Sequence, residues 1–315
     1  MQFIAIDGSK IPLPNREQLR LLYGGMGRDA SSPTAIASIA FDVLNERILD
    51  AQLEPLNVDE RTLAKRHMEA IKADGRVNLS YSMFVFDRGY ASEDLITFIE
   101  KDIRTHYLFR LRDKFSCIID ALPTPETKDG IVDQRIELYE GVMVRVLRFY
   151  LPSGILETLI TNDFEHDKSM FREYYFYRWP VEGEYRLIKE KTGLTCFRGY
   201  SENSILQEFW IAMLLTNLAN VIKGEADGLI KYNHPEEEGL KHSYKTNMNE
   251  LMGALSRHFP EYMDADTSGE KQAIIRHILN FLLHKPVVDK KGSGESHPRN
   301  EARHVKNHYN VRVTH

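Results

Sequence analysis

The sequence predicts an α/β fold, and three observations carry that prediction. Residues 1–112 alternate strand-like apolar runs with helical stretches, in the order strand, strand, strand, helix, strand, helix, strand. Residues 113–163 change texture and read as a β-rich insertion. Beyond Asn162 the apolar positions recur at helical spacing, first over 164–225 and then over 226–285, and 286–315 reads as a basic, mobile tail.

The elements follow in order. QFIAID is a short strand ending on Asp7, with Gly8 as a turn and KIPLP as a possible returning hairpin arm. LYGGMGRDASSP is loop by composition. Its glycines could cradle a phosphate, but no Lys-Ser or Lys-Thr follows them, so a hairpin loop is the better reading. TAIASIAFDVLNERILDAQLEP reads as a strand bending into a second hairpin arm. DERTLAKRHMEAIK is helical, with Asp59 as its cap. SMFVFDRGY is a strand closing on Asp87. SEDLITFIEKDI starts a helix at Ser92, and HYLFRLR is the next strand. In the insertion, ALPTPETKDG is loop, and RIELYEGVMVRVLRFYLPSGILETLITN gives several strands around a Pro-Ser-Gly turn. HDKSMFRE and YYFYRWPVEGEYRLIKEKTGL open the helical part. Pro180 lacks an amide proton and crowds the preceding turn, so a kink or helix restart is expected near Trp179. The Leu, Ile and Met stripe from Ile205 to Ile222 reads as core packing, and two further helices follow in TNMNELMGALSRHF and EKQAIIRHILNFLLH.

Composition narrows the class. The chain has 315 residues, 42% hydrophobic and 28% charged, which suits a soluble globular protein. A net charge of -5 does not announce a nucleic-acid binder, although the segment from Phe281 to His315 is locally basic. Cys117 and Cys196 form no pair motif, so a reducing compartment fits. No secretory leader is visible at Met1. FWIAMLLTNLANVI carries two Asn and reads as a buried helix, not a membrane span. His304 and His308, with His297 and His315 nearby, could suggest a metal cluster, but their basic setting favours a solvated or DNA-contacting tail.

The chemistry converges on three carboxylates. Asp7 and Asp87 each close a strand, and such residues gather at one edge of an α/β sheet. Glu182 lies on a helix that could complete the cluster. Taken singly, each aspartate could be only a turn former. Together the three would repel one another unless cations intervened, and oxygen ligands favour Mg²⁺ or Mn²⁺ over zinc. Two such ions, about 3.5–4 Å apart, serve in-line phosphoryl transfer. Tyr175, Arg178, Glu182, Tyr185 and Lys189 recur at three and four residues and share one helix face. Arg178 suits a phosphate fork, Lys189 a point charge, Tyr175 a donor, and Trp179 a stacking surface for an unpaired base. The plainer alternative is an exposed face of internal ion pairs worth about 0.3–0.5 kcal/mol each, which does not explain the Tyr and Trp.

These residues resemble a known family. Tyr175, Arg178, Glu182 and Lys189 match the Y-x2-R-x3-E-x6-K signature of the insertion-sequence-four group of bacterial DDE transposases. IAIDGS and FDRGY resemble that group's segments bearing its first and second aspartates, and ETLITN resembles the segment closing its β insertion. The resemblance implies a ribonuclease-H-like catalytic core, interrupted by a β-stranded insertion and followed by C-terminal helices. It implies Asp7, Asp87 and Glu182 as catalytic metal ligands, with two Mg²⁺ (or Mn²⁺) ions. Tyr175, Arg178, Trp179 and Lys189 are then the DNA-binding set. The implied reaction is cleavage of DNA at transposon terminal inverted repeats, excision through a hairpin, and strand transfer to target DNA. A homodimer in the DNA complex and a cytoplasmic, nucleoid-associated setting are implied as well, with no membrane partner. Family members carry a helical region before the first aspartate. Met1 stands six positions before Asp7, so a chain lacking that N-terminal region is expected. A silent DNA-binding remnant that modulates a full-length transposase, and a general ribonuclease-H-like nuclease, are the alternative functions.

Overall fold

A computed structural model describes residues 1–139, 141–233 and 243–289. The chain opens with β1 (Gln2–Pro12), α1 (Glu17–Tyr23), β2 (Gly25–Met26), β3 (Ser32–Asp42) and β4 (Arg47–Pro55). Then come α2 (Glu60–Asp74), β5 (Ser82–Phe86), α3 (Glu93–Phe98) and β6 (His106–Arg110). A short α4 (Cys117–Asp120) leads to β7 (Ile131–Tyr139), β8 (Val142–Tyr150) and β9 (Leu156–Thr161). The helical part holds α5 (Phe171–Phe176), α6 (Pro180–Lys191), α7 (Glu202–Asn233), β10 (Ser243–Lys245), α8 (Met248–Asp264), α9 (Ser268–Leu283) and β11 (Val287–Asp289).

One nine-stranded mixed sheet organises the α/β fold. Its order is β2-β3-β1-β5-β6-β9-β8-β7, with β4 paired to β3. β1, β5 and β6 run parallel, and the flanking pairs are antiparallel. β7, β8 and β9 come from the segment expected to be an insertion, and they extend the same sheet beyond β6. Residues alternate across a strand, so each strand supplies both faces. On one face Phe3, Ala5, Ala37 and Ile39 pack with Val181, Tyr185, Ile188 and Phe209. On the other, Ile4, Ile6, Phe84 and Phe86 pack with Ala64, Met68 and Leu95. A third cluster joins the second half of α7 to α8 and α9.

Several expectations change. Gly8 is not a turn: β1 runs straight through it, and KIPLP continues that strand against β3. A Cβ there would meet Glu60 Oε1 at 2.8 Å, so a larger residue would push the tip of the Glu60 side chain aside. Residues 17–23 form a helix that composition did not reveal. Asp59 stands at the N-cap of α2 without a capping bond, whereas Ser92 Oγ accepts from Leu95 N at 3.3 Å. The tail expected from residue 286 begins with a paired strand, since Val287–Asp289 joins Ser243–Lys245. His297, His304, His308 and His315 lie outside the described residues.

The helix restart occurs as expected. α5 ends at Phe176, and α6 begins with Pro180 at its first position, where the missing amide is harmless. α7 is long and apolar enough, by length and composition, to cross a membrane. The two asparagines of its apolar run, Asn217 and Asn220, have partners within the fold. Asn217 brackets Ile48 of β4, accepting from its N–H at 2.7 Å and donating to its carbonyl at 2.9 Å. Asn220 donates to the Glu184 carboxylate at 2.7 Å.

Candidate nucleic-acid-processing site

The parallel register builds the site. Ala5 pairs with Val85, and Phe86 with Phe109. These registers end just short of the site: Asp7 follows two residues after Ala5 inside β1, Asp87 is the first residue beyond β5, and Arg110 closes β6. Asp87 and Arg110 stand at the carboxyl ends of their strands, where an α/β sheet opens, and Asp7 lies mid-strand on β1, close enough to Asp87 to feel its charge. Asp7 and Asp87 are half-buried. Asp7 Oδ1 accepts from the Gly8 amide at 2.9 Å, and Asp87 Oδ1 accepts from the Tyr175 hydroxyl at 3.2 Å.

Electrostatics show the crowding. Burial pushes the Asp7 carboxyl up to about 6, and the charges of Glu60 and Asp87 push the same way, against the Gly8 amide and Arg178. Glu60 is raised too, first by burial, then by Asp59 and Asp87, against Lys10. Glu60 is the first residue of α2, and its carboxylate overhangs Gly8. It is a fourth carboxylate that the sequence reading missed, because an acidic residue in a first helical turn looks like ordinary dipole compensation.

The helix stripe turns inward. Tyr175 and Arg178 are only 7% and 4% exposed, and Tyr185 is buried as well. The stripe is therefore the sheet-facing side of the two helices and not a solvated one. Tyr185 donates to the carbonyls of Asp7 at 2.7 Å and Ala37 at 2.9 Å. Lys189 donates to Ser9 Oγ at 2.7 Å, and its burial lowers its pKa against the pull of Asp7. Arg178 Nη2 donates to Glu182 Oε1 at 2.8 Å. Its charge also acts on Asp7 and Asp87, so the guanidinium is the electrostatic link between the helix carboxylate and the strand pair. Arg178 stacks over Trp179, 4.4 Å from the ring centroid, and Trp179 itself is 42% exposed.

The structure thus brings Asp7 and Asp87 together, adds Glu60, and turns Glu182 toward Arg178. Among the described residues, no three His, Cys, Asp or Glu side chains are close enough to hold one ion as they stand. A second pair borders the site. Arg110 Nε donates to Glu157 Oε1 at 2.6 Å, and Glu157 is 2% exposed. Burial raises Glu157, Arg110 opposes that, and Asp87 adds to it. This pair joins β6 to β9 beside Tyr175 and Asp87, a link between residues 47 apart that no local pattern reveals.

A family model described as transposase DDE domain matches residues 1–218. No curated protein sequence matches the chain. Among solved structures, the chain is similar to one described as the cryo-EM structure of the piggyBac transposase synaptic complex with hairpin DNA. The TM-score is 0.49 and the identity 11%, over 93% of this chain and 59% of that one. This chain therefore spans less than two thirds of that protein's length.

Proposed function

This chain belongs to the transposase DDE domain family, and from that premise we propose that it cleaves DNA at transposon ends and joins them to target DNA. The observation that carries this reading is the closeness of Asp7, on β1, to Asp87, at the carboxyl end of β5, with Arg178 and the α6 residues Glu182 and Lys189 laid over them. The strand order β4-β3-β1-β5-β6, three antiparallel strands followed by two parallel ones with helices on both faces, supports a ribonuclease-H-like core.

Asp7, Asp87 and Glu182 are the residues that would hold Mg²⁺ or Mn²⁺. The donor set is all carboxylate oxygen, which suits hard ions, and the Asp7 carboxyl is raised first by burial and then by the charges of Glu60 and Asp87, both of which a bound cation would offset. Two bound ions would supply Lewis-acid polarisation to the attacking and leaving oxygens. The chain's own groups do the rest. Tyr175 orients Asp87 through its hydroxyl. The Arg178 fork can transfer from Glu182 to a DNA phosphate, freeing Glu182 to turn toward the aspartates. Lys189 adds a point charge beside Ser9. Trp179 offers its exposed ring to an unpaired base. A homodimer holding two DNA ends is the working unit in this reading.

The test is metal-dependent nicking of DNA bearing the element's terminal repeats, followed by joining of the cut end to a second duplex. Nicking in wild type and none in Asp87→Ala or Glu182→Ala is expected. Undiminished activity in either variant removes that residue from the site. A chain that cuts nothing yet inhibits a full-length transposase is a silent DNA-binding remnant instead.

A further inference from the structure

Ser38, His67 and Asp50 lie on β3, α2 and β4, and no local pattern connects them. His67 Nδ1 lies 2.6 Å from Asp50 Oδ2, and Nε2 lies 2.9 Å from Ser38 Oγ. Ser38 Oγ in turn donates to the carbonyl of Asp7 at 3.3 Å. The three contacts form one continuous chain from Asp50 through His67 and Ser38 to the Asp7 peptide.

The composition is that of a nucleophilic triad, but the geometry is not. Ser38 and His67 are both 0% exposed. No substrate reaches the hydroxyl, and its proton is spent on a backbone carbonyl. What the chain does reach is the peptide of the first strand aspartate. That carbonyl is gripped from both faces of the sheet, by Ser38 from the α2 side and by Tyr185 from the α6 side. The Asp7 carboxylate itself is held by the Gly8 amide.

We propose that Asp50, His67 and Ser38 form a positioning relay that fixes the Asp7 peptide, and through it the direction of the Asp7 carboxylate. This rests on the reading of Asp7 as a cation-holding group. A lone 3.3 Å bond from a serine free to rotate would constrain little. Here His67 Nε2 holds the serine oxygen from the other side and Asp50 orients the ring, so the hydroxyl is confined between the ring and the Asp7 peptide. Fully satisfied buried networks rigidify in this way, whereas apolar residues of similar size would fill the space without aiming anything. α2 then serves the site twice, at its start through Glu60 and two turns later through His67.

The test measures Mn²⁺ binding to the full chain by calorimetry at fixed pH, beside thermal melting. Partners of a ligand tune metal affinity by about 10–100-fold, and a bond to the ligand's peptide belongs at the lower end. Ser38→Ala is therefore expected to weaken Mn²⁺ binding about tenfold. Ser38→Thr, which keeps the hydroxyl, restores most of it. Thr105→Ala is the control. Its buried hydroxyl donates to the carbonyls of Leu79 and Ser82, so its loss lowers Tm and leaves Mn²⁺ binding unchanged. Wild-type affinity in Ser38→Ala overturns the relay, as does an equal loss in Thr105→Ala. Should Ser38→Ala not fold, Asp50→Asn at the outer end of the chain is read in its place. Weaker binding in that variant supports the relay, and unchanged binding overturns it. Asp7→Asn separates the two levels: if it binds Mn²⁺ as wild type does, the reading of the site fails, whatever Ser38→Ala shows.

Discussion

Asp7 and Asp87 ride on the sheet, while Glu182 rides on a helix laid across it. Asp7 is held within the sheet by its pairing with Ile39 of β3, and Asp87 follows directly on β5. Asp7 also has its carbonyl gripped from both faces. Glu182 stands in the first turn of α6 with a side chain 42% exposed, paired with Arg178. A rigid pair and an adjustable third carboxylate divide the work differently. The pair provides a fixed floor. On the proposed function, the helix carboxylate waits on Arg178 until a phosphate draws the guanidinium away.

The largest expected effects test the floor. Asp7→Ala and Asp87→Ala should each lower the nicking rate by on the order of 10³-fold with unchanged far-UV circular dichroism. Arg178→Ala sharpens the contrast. It releases Glu182 and removes a cation that holds the Asp7 carboxyl down, so the Asp7 carboxyl should titrate higher still, as followed by carboxyl chemical shifts.

Stability should separate the two regions by a smaller margin. Tyr185→Phe leaves the Asp7 carbonyl with Ser38 alone and removes the hydroxyl from Ala37, at a cost of about 1–3 kcal/mol in thermal melts. Glu182→Gln disturbs an ion pair with one exposed partner and should cost about 0–1 kcal/mol. Equal costs would erase the distinction between floor and helix.

The smallest expected effect is in pH. The Asp7 carboxyl sits near 6 in the fold against an ordinary 3.8. Its ionised form therefore costs stability. That cost is absent below the ordinary value, grows as pH rises toward 6, and is complete above it. Asp7→Asn should melt higher than wild type at pH 8 and at nearly the same temperature at pH 3.5, in the absence of metal. Binding of Mn²⁺ to the wild type should weaken as pH falls through 6, because the carboxyl must lose its proton to act as a ligand.

Much of this was legible in the chain itself. A strand end announced Asp87, helical spacing grouped Tyr175, Arg178, Tyr185 and Lys189, and Pro180 announced a helix restart, whereas the strand expected to end on Asp7 runs on to Pro12. The stripe's direction was not legible. A line of Tyr, Arg and Lys on a helix suggests solvent, yet it faces the sheet edge, where backbone carbonyls, Ser9 and carboxylates meet its polar tips. Gly8 misled for a related reason. Its lack of a side chain serves the approach of Glu60, 52 positions later, and not a local turn.

By itself, then, the sequence determined the α/β elements, the strand-borne aspartates and the signature on the helix, because periodicity, caps and proline chemistry act over a few residues. The tertiary structure alone decided that residues 131–161 extend the central sheet, that Glu60 joins the carboxylates, and that Ser38, His67 and Asp50 meet at the Asp7 carbonyl. Those depend on register between strands and helices far apart in the chain. A one-residue slip would turn Ser38 to the other face, and no short window of sequence encodes which register wins.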